Sequence, residues 1–299
     1  MKTRIIILTN KWWEAVALVS VLEHARAVKP EFSACSLKII TISRQMPQEC
    51  LPQTRLKFCF DENVIEVICI EDFIPKGANT SSSFQKHLVL QSLKSRGIFD
   101  DVLVIAFGTA SSPEANCAGN VVAGSSVFVF NQKSNNDFPE SIAFAGETGR
   151  IIESEIGGSL LNEAIPTDVL SAAQKRLLIA PNCPSLNPKL FVGSDYVSVG
   201  VINVQNNLDY QKIDSLALKR FLSVKIERQE TRSVETTHGL IRLCLDSPFI
   251  YFSGITNQVG RFQEEVAPNK YSQNFAAAHN ASICLSWILP KLCERLPKL

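Results

Sequence analysis

The stretch Val234–Val259, VETTHGLIRLCLDSPFIYFSGITNQV, decides the fold class. Leu240, Leu243 and Cys244 recur at helical spacing and Ile241 widens the apolar face, so the pattern predicts a helix that Glu235 opens. Asp246 and Ser247 break the period, and Pro248 can begin a strand but not continue a helix. Phe249–Ser253 is an apolar run of strand length, released at Gly254 into Ile255, Thr256 and Asn257. In an open α/β sheet, ligands sit beyond the carboxyl ends of the strands. Glu235 and Asn257 are therefore expected at one crevice.

Upstream, the same alternation of strand and helix repeats. Arg4–Leu8 reads as a buried strand, and Val16, Val19 and Leu22 mark a helix over 12–25 with Glu14 in its first turn. A carboxylate there is favourably placed by the helix dipole and also stands at the strand–helix corner. Strands are expected at 37–42 and 64–70, with LKFCF as an edge strand, a loop at 75–83 and a helix over 84–93 bearing a surface His87. Asp101–Phe107 (DVLVIAF) is a clean buried strand that ends in Gly108, Thr109, Ala110, Ser111 and Ser112. Such an end can present backbone N–H groups and hydroxyls to an anion or a sugar, or simply form a tight turn.

Farther along, Ser125–Asn131 alternates as a strand, and 131–165 reads as loop-rich with NQKSNNDFPE as a surface excursion. Thr167 is a possible cap for a helix over 169–177. A strand at 195–205, a helix at 213–222 and an edge strand at 224–227 follow. An alanine-rich helix over 274–289 stops at Pro290. The expected fold is α/β: a single domain over 1–299, a mixed sheet flanked by helices.

The totals narrow the function classes. Thirty basic against 29 acidic residues give a net charge of +1, so no global pull toward nucleic acid or anionic lipid follows. Nine cysteines, none in a C-x-x-C pair and several inside apolar runs, suit a reducing compartment. The IIIL run at 5–8 is too short for a secretory core, and no apolar stretch reaches membrane length, so a soluble cytoplasmic protein is expected. G-x-x-x-x-G-K and G-x-G-x-x-G are both absent. No cofactor, metal, nucleic-acid or membrane partner is expected.

Four landmarks in order resemble the nucleoside phosphorylase/nucleosidase superfamily. They are Glu14 just after the first strand, the strand ending in Gly108-Thr109-Ala110, the Gly119-Asn-Val-Val-Ala-Gly124 segment, and Val234-Glu235 leading to Ser253-Gly-Ile-Thr-Asn257. Family members show Gly-Thr/Ser-Ala-Gly-Gly, Gly-Asp-Val/Ile-Val, Met-Glu and a strand ending in Ile-Ser-Asp. The resemblance implies a nucleoside phosphorylase-like fold, a small-molecule nucleoside ligand and a homo-oligomer, to which the Trp12-Trp13 pair could contribute.

It also implies roles. Glu235 holds the ribose beside Val234, while Gly108, Thr109 and Ser111 line the sugar or anion end. Asn257 stands where nucleosidases have the Asp that protonates the purine; an amide can hydrogen-bond a leaving base but cannot transfer a proton. Phosphorylases of the superfamily carry an Arg where this chain has Ala106, and a Gly-x-x-x-Arg element where it has Asn10–Glu14. Hydrolysis of a purine nucleoside or 5′-modified derivative, with Glu14 activating water, is therefore the leading expectation. Phosphorolysis, with Lys11 or Arg261 rebuilding an anion site, is the first alternative; a non-catalytic nucleoside-binding protein is the second. Phe191 or Phe130 could serve as a base-stacking platform.

Overall fold

One long strand sets the architecture. β5 (Val102–Ser112) pairs in parallel with β1 (Arg4–Thr9) only as far as Phe107, and with β12 (Phe249–Gln258) along almost its whole length. At its far end it meets β11 (Glu230–Glu235), antiparallel, with Val234 opposite Ser111. The partner on one edge of β5 thus changes from β1 to β11, and Gly108–Ala110 lie in the gap. The computed structural model describes residues 4–28, 38–41, 54–60, 63–131, 148–179, 187–202, 207–269 and 272–296.

From β1 the sheet extends through β4 (Asn63–Cys69) and β3 (Thr54–Phe60) to β2 (Lys38–Thr41). From β11 it extends through β10 (Tyr196–Ile202) and β7 (Ser126–Asn131) to β8 (Ile151–Glu153). A branch off β12 carries β6 (Val121–Gly124) and β9 (Leu190–Val192). The twelve described strands form one mixed sheet, as the sequence led us to expect.

Helices cover it according to their apolar faces. α1 (Trp12–Val28), α3 (Glu155–Glu163), α4 (Thr167–Gln174) and α8 (Ser272–Arg295) close over one core, where Leu18 and Leu22 meet Leu285, Ile288 and Leu160. α2 (Ser83–Lys94) and α6 (His238–Cys244) cover another, with Leu90 and Leu93 beside Leu240 and Ile241. α5 (Asn207–Val224) buries Ile213, Ala217 and Phe221 against Phe128, Val197 and Val199, and a single turn, α7 (Phe262–Glu265), precedes α8. No helix among the described residues is long and apolar enough to cross a membrane.

Several expectations are corrected. Glu235 does not open a helix: it is the last residue of β11, and the helix begins at His238. The edge strand at 224–227 is replaced by the end of α5 and a turn, because Phe221 keeps that segment helical against the core. β5 does not end at Phe107, nor β12 at Ser253; each runs on through its glycine because the two strands pair with each other there. LKFCF lies between β2 and β4 rather than at an edge. Thr167 is the first helical residue rather than a cap; Pro166 precedes it without a capping side chain. Between 131 and 165, β8 and α3 form, and the 132–140 excursion lies outside the described residues.

Pro290 sits inside α8 instead of stopping it. A proline there forfeits one backbone hydrogen bond. Burial of Leu292, Cys293 and Leu296 beyond it offsets that loss.

α8 rests directly on β12 at Gly254, where an added Cβ would overlap the Ala277 carbonyl oxygen. Gly254→Ala is expected to lower unfolding free energy by at least about 2 kcal/mol in urea titration, because neither backbone can yield locally.

Candidate active site

A cavity of about 760 Å³ opens where β5 changes partners. Its floor is Phe107–Ser111, and the β1–α1 corner contributes Asn10–Glu14. Val234–His238 form a second wall, Thr256 and Asn257 a third, and Asp214 enters from α5. Phe262, Asn274 and Phe275 close the remaining side. Every site residue expected from the sequence (Glu14, Gly108, Thr109, Ser111, Val234, Glu235 and Asn257) therefore meets at one cavity.

Glu14 is held from two sides. One carboxylate oxygen accepts the backbone N–H of Asn10 (3.0 Å) and Lys11 (2.9 Å), which caps the first turn of α1. The other accepts the Thr109 N–H (3.0 Å) and hydroxyl (3.2 Å). That N–H is available because β1 has ended at Thr9 and β11 reaches β5 only at Ser111. Gly108 permits the approach, since a Cβ there would lie 2.9 Å from the Glu14 carboxylate. Thr109 thus gives both donors to Glu14 rather than to an open anion site. Burial pushes the Glu14 carboxyl up to about 7, against the four hydrogen bonds that pull it down.

Glu235 is held in a similar way. Its carboxylate accepts the amides of Thr237, His238 (2.6 Å) and Gly239 (3.1 Å), the exposed N–H groups that begin α6. Ser198 adds a longer hydroxyl contact of 3.4 Å. Behind this turn the Lys86 ammonium, fully buried, donates to the Thr237 hydroxyl (3.2 Å), and burial pulls that lysine down to about 8. His238 lines the cavity too; burial lowers its pKa, which favours the neutral imidazole.

On β12 the register against β5 shifts between Ile255 and Asn257. Side chains of a regular strand alternate between faces, and this bulge turns both Thr256 and Asn257 toward the cavity. The Asn257 amide nitrogen donates to the Ser111 hydroxyl (3.1 Å) and the Gln258 carbonyl (2.7 Å), and its oxygen accepts from Thr256 (2.6 Å).

Other expectations fare differently. Lys11 reaches the cavity but is tied to Glu71 (3.0 Å) and Thr80 (2.8 Å). Arg261 lies on the surface against Glu264 and Glu265, so it builds no anion site in the cavity. Among the described residues no arginine lines the cavity. Phe130 and Phe191 do not line it either, and Phe191 instead stacks under the Arg232 guanidinium at 4.2 Å. The aromatic surfaces present are Trp12, Trp13, Phe107, Phe262 and Phe275. Trp12 is also 59% exposed.

Sequence reasoning missed Asp214, His238, Asn10 and Asn274. The signal for Asp214 was present: it is in phase with Ala217 and Phe221, a carboxylate on the apolar face of its helix. Asn274 likewise precedes Ala277 and Ala281 on the buried stripe of α8. The amide oxygens of Asn10 and Asn274 are buried without a partner, so the cavity presents acceptors to a hydrogen-bond donor.

The architecture has counterparts among solved structures. The Helicobacter pylori 5′-methylthioadenosine nucleosidase, solved as a point mutant with 5′-methylthioadenosine in its active site, superposes with a TM-score of 0.57 at 13% identity, over 97% of this chain and 99% of that one. The chain has the nucleosidase fold. A 5′-methylthioadenosine/S-adenosylhomocysteine nucleosidase from S. pneumoniae with a transition-state inhibitor gives 0.56 at 12% identity, covering 97% and 100%. A futalosine hydrolase mutant from H. pylori gives 0.52 at 11%, covering 96% and 98%. No protein-family model and no curated protein sequence matches this chain.

The raised Glu14 carboxyl has a consequence for stability. Its folded value of about 7 exceeds the ordinary 4.5, so the folded state holds that proton more tightly. Stability from this group is fully present below the ordinary value and is lost as pH rises through about 7. Asp214, raised from 3.8 to about 7 by burial and by the neighbouring Glu235 charge, acts in the same direction. Urea midpoints should fall between about pH 4 and about pH 8. Glu14→Gln should flatten that fall by on the order of 3 kcal/mol.

Proposed function

We propose that this chain hydrolyses the N-glycosidic bond of a purine nucleoside or a 5′-modified derivative. The observation that carries the reading is the buried Glu14 carboxyl at the β1–α1 corner, poised at about 7 inside the cavity. A general base works best when its pKa lies near the working pH. The Thr109 hydroxyl bonded to Glu14 is a donor that can rotate, and a water can take its place on that oxygen.

In this reading the water oxygen attacks the anomeric carbon as the carbon–nitrogen bond breaks, and Glu14 takes the water proton. The base leaves with the bonding electrons and gains its proton from solvent, because the Asn257 amide has none to transfer. Asn257 instead fixes Ser111 and the end of β12, shaping the wall beside the leaving group. The ligand in the H. pylori counterpart, 5′-methylthioadenosine, guides the choice of substrate class.

Charge favours water over phosphate. Glu14, Asp214 and Glu235 line the cavity, and Lys11, its cation there, is already paired with Glu71. A phosphate anion would meet carboxylates without an unpaired lysine or arginine among the described lining residues.

The test is chromatographic detection of free base from 5′-methylthioadenosine, adenosine and inosine, with and without phosphate. Free base and free sugar are expected without phosphate, and Glu14→Gln should reduce kcat by about 100-fold or more. Sugar 1-phosphate formed only in phosphate would establish phosphorolysis instead, and binding without turnover a non-catalytic role. Because the base must be ionised, kcat/KM should rise with pH through about 7 and then level.

A further inference from the structure

Four carboxylates line the cavity: Glu14, Glu71, Asp214 and Glu235. Three are already engaged by the protein. Glu14 accepts from two backbone amides on one oxygen and from Thr109 on the other. Glu71 pairs with Lys11 and accepts the Trp12 N–H. Glu235 is wrapped around the first amides of α6, with the long Ser198 contact as its fourth bond.

Asp214 differs from all of these. It is 8% exposed, stands on α5 in phase with the core residues Ala217 and Phe221, and has no hydrogen-bond or ion-pair partner among the described residues. A buried carboxylate without partners costs stability, and its acceptor sites are available to a ligand inside the cavity. Asp214 and Glu235 line the same cavity, and the Glu235 charge acts on the Asp214 carboxyl.

We propose that Asp214 is the acceptor for the vicinal hydroxyls of the ligand's sugar. Glu235, in this assignment, is a positioning residue that fixes the wall by holding the start of α6. Two adjacent hydroxyls can each donate to one carboxylate oxygen of Asp214, which satisfies the oxygens that the protein leaves open. The inference rests on the nucleoside reading of the cavity but not on turnover.

The test compares binding of adenosine and 2′,3′-dideoxyadenosine by calorimetry in wild type, Asp214→Asn and Asp214→Leu. Wild type should prefer adenosine by on the order of 10- to 100-fold, the range for hydrogen bonds to a charged acceptor. Asp214→Leu should erase that preference, and Asp214→Asn should reduce it. Above about pH 7, where the Asp214 carboxyl is ionised, both variants should unfold at the same or higher denaturant concentration than wild type, because an unpaired buried charge is removed. A purely structural aspartate would instead give less stable variants with the preference intact.

Equal binding of the two ligands by wild type, or an unchanged preference in Asp214→Leu, overturns the assignment. Wild type that binds neither at millimolar concentration overturns it together with the nucleoside reading. Wild type that shows the preference yet releases no base overturns the hydrolase reading alone and leaves the assignment supported.

Discussion

The bond between Glu14 and the Thr109 N–H joins the two parts on which this site depends. It ties the start of α1 to the middle of β5 at the point where β5 has lost β1 and not yet gained β11. A sheet that kept its partner there would pair that N–H internally and leave no acceptor role for a side chain. The change of partners thus creates both the opening and the donor that orients the carboxylate within it. It is a local form of the general rule that α/β sheets bind ligands where strand order changes.

The same solution recurs at the second wall. Glu235 satisfies the amides at the start of α6 as Glu14 satisfies those at the start of α1. Each carboxylate therefore does a structural task while lining a cavity, and each helix begins at the site with its positive end inward. Asp214 breaks this symmetry, being a cavity carboxylate that caps nothing. The buried Lys86 lies behind the wall and offsets part of the accumulated negative charge.

Much of this was legible in the sequence where burial writes a simple pattern. β1, β5 and β12 are apolar runs buried on both faces, and the helices read over 12–25 and 274–289 announce themselves by period, although the second runs on through Pro290 to Arg295. β11 was not legible, because Glu230–Glu235 is largely polar and holds its central place only through contacts with β5 and β10. That is why Glu235 was read as the first residue of the helix it caps. The bulge that aims Asn257 depends on register against β5, which no local pattern records. Asp214 was readable as a charge on an apolar helix face, yet its meaning required knowing that the face meets a cavity.

Burial holds the Glu14 proton near neutrality against four hydrogen bonds. Direct titration of the side-chain carboxyl by NMR of isotopically labelled glutamate, with Glu14→Gln identifying its signal, tests it. A midpoint near 7 is expected. A midpoint at the ordinary value of 4.5 would contradict it and leave Glu14 as a helix cap alone.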